Sequence, residues 1–236
     1  MGGFSHSENE IREDMRHVIK IGDSRYPAML AETERPPAEL YVMGDPSALA
    51  APMVAVIGAR RATPYGLTCA RRFAALAAEA GFCVVSGGAR GVDAEAHRAA
   101  LEAGGRTVAV LGGGIDRPYP KEHAPLFERI ADSGGAVASE QPWDAAPLPW
   151  MFRARNRIVA GLACAVVVCE AGLPSGTFST CDDALDAGRE VLAVPGPITS
   201  PASAGPNRLL LCGASPVVDD ESFMAALEPA AVRTVR

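Results

Sequence analysis

The sequence predicts an α/β fold: one doubly wound, mostly parallel sheet with a short N-terminal arm. Three observations lead there. Short unbroken apolar runs recur along the chain, as in MVAVIGA, FCVVSGG and RTVAVLGGG. Most of them end in glycine. A stretch with helical spacing follows nearly every one. Strands that are apolar on both faces belong in a parallel sheet covered on two sides, and the intervening helices provide the cover.

The elements follow in order. Residues 1–20 are polar and read as a flexible N-terminus. Residues 21–52, with SRYPAML and ERPPAELYVMGDP, show little periodicity, and their paired prolines favour extended and turn structure. They read as an arm packed on the core. The core, residues 53–228, begins with MVAVIGA and a helix from about Thr63 to Ala80. FCVVSGG and a helix over 92–103 come next, then RTVAVLGGG and a helix near 122–133. GAVASE is a weaker strand. A short helix starting near Arg155 leads into CAVVVCE, and a helix over 175–187 leads into EVLAVPG. That makes six strands, and the arrangement is Rossmann-like. A helix after 206, a short SPVV strand and a helix DDESFMAAL capped by Asp219 or Asp220 close the core. Residues 229–236 read as a tail.

The chain has 236 residues and a formal net charge of -6. That charge argues against binding nucleic acid through the overall field but leaves room for a local basic site. Six cysteines form no CxxC pair and sit mostly in apolar runs, the pattern of reduced buried thiols. Four scattered histidines lack ligand spacing, so neither metal nor cofactor is expected. No signal pattern or bilayer-length apolar run is seen, which points to a cytoplasmic protein with no membrane partner.

Candidate function lies where the strands end. Ligands of such sheets sit outside the carboxyl ends of the strands, at the point where strand order reverses. Glycine turns occur there at Gly58, at Gly87, Gly88 and Gly91, at Gly112 to Gly114, at Gly172 and Gly176, and at Gly196. Glycine admits a ligand close to the backbone, and a following helix aims N–H groups at an anion. Neither GxGxxG with its acidic partner nor GxxxxGK[ST] is present, so NAD and ATP are poorly supported. Arginines accompany the turns: Arg60, Arg61, Arg90, Arg117, and the close trio Arg153, Arg155 and Arg157. Guanidinium groups bind phosphate bidentately and stack on bases. A local phosphate-binding rim on an acidic protein is the expectation. Phe152, Tyr65, Tyr119 and Phe178 are the candidate stacking side chains.

Eight of these stretches, in uninterrupted order over about 25–218, resemble the DprA/Smf family of DNA-processing proteins. They include VAVIGARRATPYG, VVSGGARGVDAEAHRAAL, VAVLGGGIDRPYP and FRARNRIVAGLACAVVVCEAGLPSGTF. The resemblance implies an extended Rossmann domain that binds single-stranded DNA and protects it. It also implies homodimers, with a contact near 205–228, that help load a RecA-type recombinase during transformation and recombination. It implies no catalysis. Arg60 matches the family arginine after the first strand. Arg155, Asn156 and Arg157 match its RNR motif, and Ser175, Gly176 and Thr180 match its lysine-Ser-Gly turn and later threonine. The family lysine is Pro174 here, and Arg153 stands where a proline is usual, returning a positive charge nearby. With the glycine rim, the expected DNA contacts are Gly58, Arg60, Gly87, Arg90, Arg153, Arg155, Asn156, Arg157, Ser175, Gly176, Thr177 and Thr180.

Two other readings use the same rim. One is a nucleoside-phosphate hydrolase, with Glu170, Asp182 or Asp93 as its acid. The chain offers no convincing base–nucleophile pair for it. The other is a sensor of a small nucleotide.

Overall fold

The computed structural model describes residues 13–234, with side chains described over 13–228. Most of the N-terminus expected to be flexible, up to residue 12, and the last two residues of the tail lie outside the described residues.

The strands form one nine-stranded sheet, in the order β1-β2-β6-β5-β4-β3-β7-β8-β9. They are β1 (Arg16–Lys20), β2 (Glu39–Gly44), β3 (Met53–Gly58), β4 (Cys83–Ser86), β5 (Thr107–Leu111), β6 (Ala136–Ser139), β7 (Ala165–Glu170), β8 (Glu190–Ala193) and β9 (Ser215–Pro216). The helices are α1 (Ala28–Ala31), α2 (Pro64–Glu79), α3 (Val92–Glu102), α4 (Ala124–Asp132), α5 (Pro149–Leu162), α6 (Thr177–Asp186), α7 (Ala204–Leu211) and α8 (Asp220–Thr234).

The chain enters the parallel sheet at β3 and builds β4, β5 and β6 on one side. It then crosses to β7, β8 and β9 on the other. The reversal of direction falls at β3 and β7, which pair in parallel from Val54 with Ala165 to Ile57 with Val168. All six β7 residues are buried, as are the first five of β3. Alternate residues serve opposite faces, as the two-residue period of a strand requires. Met53, Ala55 and Ile57 join a core with α1, α5 and α6, whereas Val54 and Val56 join one with α2, α3 and α8. On that second face Phe223 of α8 is fully buried, its ring 4.9 Å from that of Phe73. Removing a phenyl group of that size from water contributes about 2–3 kcal/mol.

The expected count of six strands is corrected to nine. The SPVV strand is present as β9, and two strands come from the first 52 residues. β2 pairs antiparallel with β6, and β1 antiparallel with β2. The residues between β1 and β3 enter the main core: Leu30 and Leu40 are fully buried, and the buried Tyr26 donates its hydroxyl proton to the Pro37 carbonyl at 2.7 Å. The ELYVMG strand does alternate half-buried and buried residues. Six residues are too few for that alternation to stand out beside two prolines. α5 starts six residues before the expected Arg155, with Pro149 at its first position, where a missing N–H costs nothing. The helix closing the core runs on to Thr234, through most of the stretch read as a tail.

Candidate nucleic-acid interface

A cleft of about 710 Å³ opens at the carboxyl ends of β3, β4 and β7, where strand order reverses. Three segments wall it: the turn after β3 (Gly58 to Arg60), the inner side of α5 (Phe152 to Asn156) and the turn into α6 (Pro174 to Thr180). Of the expected DNA contacts, all but Arg90 and Arg157 line this cleft.

The wall after β3 is set by Glu170. This fully buried carboxylate at the end of β7 accepts the Thr63 backbone N–H at 2.7 Å and the Thr63 hydroxyl at 2.6 Å. Thr63 also caps α2. Glu170 therefore fixes the loop that carries Arg60, with each carboxylate oxygen bonded to Thr63. Gly58 leaves no room for a side chain: a Cβ there would sit 2.6 Å from the Glu170 carbonyl oxygen and 2.8 Å from Val92.

The floor is set by Arg155, only 6% exposed. One of its terminal nitrogens donates to the Val110 carbonyl, while its Nε has no hydrogen-bond partner. The guanidinium lies under the Gly87 turn, where a Cβ would be 2.2 Å from Nη1. Burial pulls Arg155 down to about 10, against the pull of Asp93, which favours its charge. It stays cationic at neutral pH. Asp93 is itself buried, and burial raises its pKa against the opposing influence of Arg155 and of the Ala89 N–H that donates to it at 3.3 Å. A carboxylate thus occupies the turn at the start of α3, one of the places where the glycine pattern suggested an anion.

The turn into α6 is pinned by Asn156, whose amide donates to Ser179 Oγ at 2.9 Å and to the Gly176 carbonyl at 3.4 Å. Ser175 Oγ accepts the Thr177 N–H at 3.2 Å and donates to the Thr177 hydroxyl at 2.9 Å. Nothing lies within 4 Å of where a Gly176 Cβ would be, so the space over this turn is open. Thr180 is buried beneath it. Ser179 was missed from sequence, since no local pattern marks a serine one helix away as a partner of Asn156.

The close arginine trio divides. Arg153 is exposed on the cleft margin, Arg155 is buried in the floor, and Arg157 turns away. Arg157 meets Glu140 at 2.5 Å and donates to the Arg35 and Ala154 carbonyls. Arg90 is exposed and pairs with Glu122. It stands over Tyr119 at 6.0 Å in a side pocket that shares Arg60, Gly87, Phe152 and Arg155 with the main cleft. The Tyr119 and Phe152 rings meet edge-on at 5.2 Å, and Arg60 stands 5.8 Å over Phe152. An arginine–aromatic wall results. Phe178 also lines the cleft, while Tyr65 hydrogen-bonds the Pro195 carbonyl at 2.5 Å and does not. The triple glycine is structural: Gly113 and Gly114 pack on Pro147 and on the Pro142 and Trp143 carbonyls, and Gly112 lies against Phe152.

The family model for DNA recombination-mediator protein A matches residues 17–228. This chain belongs to the DprA/Smf family. Protein Smf of Escherichia coli is 40% identical over 218 residues, 92% of this chain, and the chain spans 58% of that relative's length. The X-ray structure of DprA from Streptococcus pneumoniae superposes with a TM-score of 0.83 at 36% identity, covering 94% of this chain and 78% of that one. DprA from Helicobacter pylori, whose structure concerns its single-stranded DNA binding mode, gives 0.81 at 31%, covering 90% and 95%. The DprA/Smf resemblance and the doubly wound fold read from sequence are both borne out. No helix among the described residues is long and apolar enough to cross a membrane.

Proposed function

We propose that this chain holds single-stranded DNA in the cleft between β3, α5 and α6, protects the strand and passes it to a RecA-type recombinase. On this reading it is a cytoplasmic, homodimeric binding protein rather than an enzyme. The observation that carries it is the pair Arg60 and Arg153. Both are exposed, both line the cleft, and neither joins an ion pair among the described residues. Phe152, the residue before Arg153, has Arg60 5.8 Å over its ring, and Arg155 is buried in the same lining. Single strands are held by cations tracking the phosphates and by rings on which bases stack, and this cleft supplies both. The family description as a recombination mediator and the single-stranded DNA bound by the Helicobacter relative support the same reading. The hydrolase reading loses two of its three candidate acids, since Glu170 holds Thr63 and Asp93 the Ala89 turn; Asp182 remains as an exposed carboxylate of the cleft lining.

The test is an anisotropy titration of labelled oligo-dT against the wild type and an Arg60→Ala/Arg153→Ala variant over a salt series. Wild-type binding falls with salt and prefers the single strand over a duplex. Losing two phosphate contacts flattens the slope of log K against log salt by about 1.4. Wild-type protein that ignores oligo-dT at low salt, or a variant with an unchanged slope, overturns the proposal.

A further inference from the structure

Trp150 stands in the first turn of α5 with 59% of its surface exposed. Trp143, the chain's other tryptophan, has partners: Tyr41 edge-on at 5.5 Å and Arg16 3.9 Å over its ring. Trp150 has no ring or cation partner among the described residues. An α-helix turns about 100° per residue. Phe152 and Asn156 face the cleft, so Arg153 falls at its margin and Trp150 just beyond, on the same flank. Positions three apart are neighbours on a helix, which puts the Cβ atoms of Trp150 and Arg153 about 5–6 Å apart. Arg157 shares that flank one turn on but is paired with Glu140. The available cation next to the indole is therefore Arg153.

An exposed indole beside an unpaired guanidinium suits a chain of alternating bases and phosphates: the base stacks on the ring and the phosphate pairs with the arginine. We propose that Trp150 is a base-stacking contact for single-stranded DNA outside the cleft, so that the bound strand leaves over Arg153 and runs on across the first turn of α5. This inference rests on the cleft being a single-stranded DNA site and adds to it a contact and a direction.

The chain's two tryptophans make the test direct. Intrinsic fluorescence and anisotropy are followed together while wild type, Trp143→Phe, Trp150→Phe and Trp150→Ala are titrated with oligo-dT of about 6 and about 20 nucleotides, one near the lower end and one beyond the upper end of the roughly 4–16 nucleotides that single-strand sites cover. The longer strand quenches wild type and Trp143→Phe and leaves Trp150→Phe unquenched. Trp150→Ala loses roughly ten-fold in affinity for the longer strand, the worth of one stacked base. It holds the shorter strand nearly as well as wild type. Quenching that survives in Trp150→Phe, or full affinity of Trp150→Ala for the longer strand, overturns the inference while the cleft stands. Absence of any anisotropy change with wild type overturns both.

Discussion

Replacing Gly87 with alanine tests whether the buried guanidinium beneath it governs binding. The backbone at Gly87 is not in the left-handed region, so the added methyl strains nothing by itself. It does collide with the Arg155 guanidinium: the three nearest atoms would be Nη1 at 2.2 Å, and Cζ and Nη2 at 2.5 Å. Real Cβ contacts are longer than 3 Å, so Arg155 must move by most of an ångström. Its hydrogen bond to the Val110 carbonyl is then lost or badly bent. A hydrogen bond to a charged group is worth about 1.5–3 kcal/mol. In a chain of this size that lowers the melting temperature by roughly 5 °C. The cation under the cleft is displaced as well, and affinity for single-stranded DNA falls by about ten-fold, the effect of one charge-assisted contact. Gly172→Ala is the control, because it lies outside the cleft lining, its Cβ position meets only the Pro201 carbonyl oxygen at 3.7 Å, and its φ is not in the left-handed region. Thermal unfolding and oligo-dT anisotropy are measured on both variants. A Gly87→Ala protein with wild-type melting temperature and affinity refutes the assignment of Arg155 as the floor of the site. A Gly172→Ala protein that loses as much refutes the idea that fit decides.

Two further predictions concern the frame of the site. His97 is fully buried, shares a hydrogen bond with Thr107 at 2.7 Å, and burial pushes it down to about 3 from 6.5. Its folded value lies below its unfolded one, so the unfolded chain binds the extra proton between them. The stability His97 confers is present above pH 6.5 and is lost as the pH falls towards 3, by about 1.4 kcal/mol per unit. Urea unfolding at pH 7 and pH 5 shows the loss, and His97→Gln reduces the difference between the two; an equal difference in the variant counts against the argument. Glu170→Ala leaves the half-buried Thr63 N–H without its acceptor and costs about 1–2 kcal/mol. Glu170→Gln costs less, since an amide can accept from that N–H and donate to the hydroxyl; equal losses by urea unfolding would refute the role given to the carboxylate.

The strands β3 to β8 were legible because each is a short apolar run and all but β6 lead into a glycine turn, a signal carried within a few residues. β1 and β2 were not. In β1 only Ile19 is buried, and β2 is held by pairing with β6 almost a hundred residues later. Such pairing is decided by tertiary context, which a local window lacks. The cleft was legible as a place, because carboxyl ends of strands collect ligands. Individual contacts were less so. Nothing near Arg90 in sequence points to Glu122, and Asp93 reads as a plain helix-start residue until its burial against Arg155 is seen.

The arginine trio shows how far periodicity alone could have gone. Arg153, Arg155 and Arg157 lie on α5, two residues apart, and two residues turn an α-helix by about 200°. No straight helix can present all three to one ligand. Arg153 and Arg157 must share a flank, and Arg155 must face the other way. Helical geometry thus splits the motif before any contact is known, and packing assigns the parts. The flank of Arg155 faces the sheet, so this guanidinium is buried and held by a main-chain carbonyl. Arg157 meets the carboxylate of Glu140 on the far side. Arg153 is exposed and joins no ion pair among the described residues, which leaves its charge for a ligand. It lines the same cleft as Pro174, the position that the resemblance matches to a family lysine. On the proposed reading, a cation from α5 takes the place of that lysine. The salt slope of an Arg153→Ala variant measures that exchange directly: a slope shallower by about 0.7 marks a phosphate contact, and an unchanged slope shows that Arg153 replaces nothing.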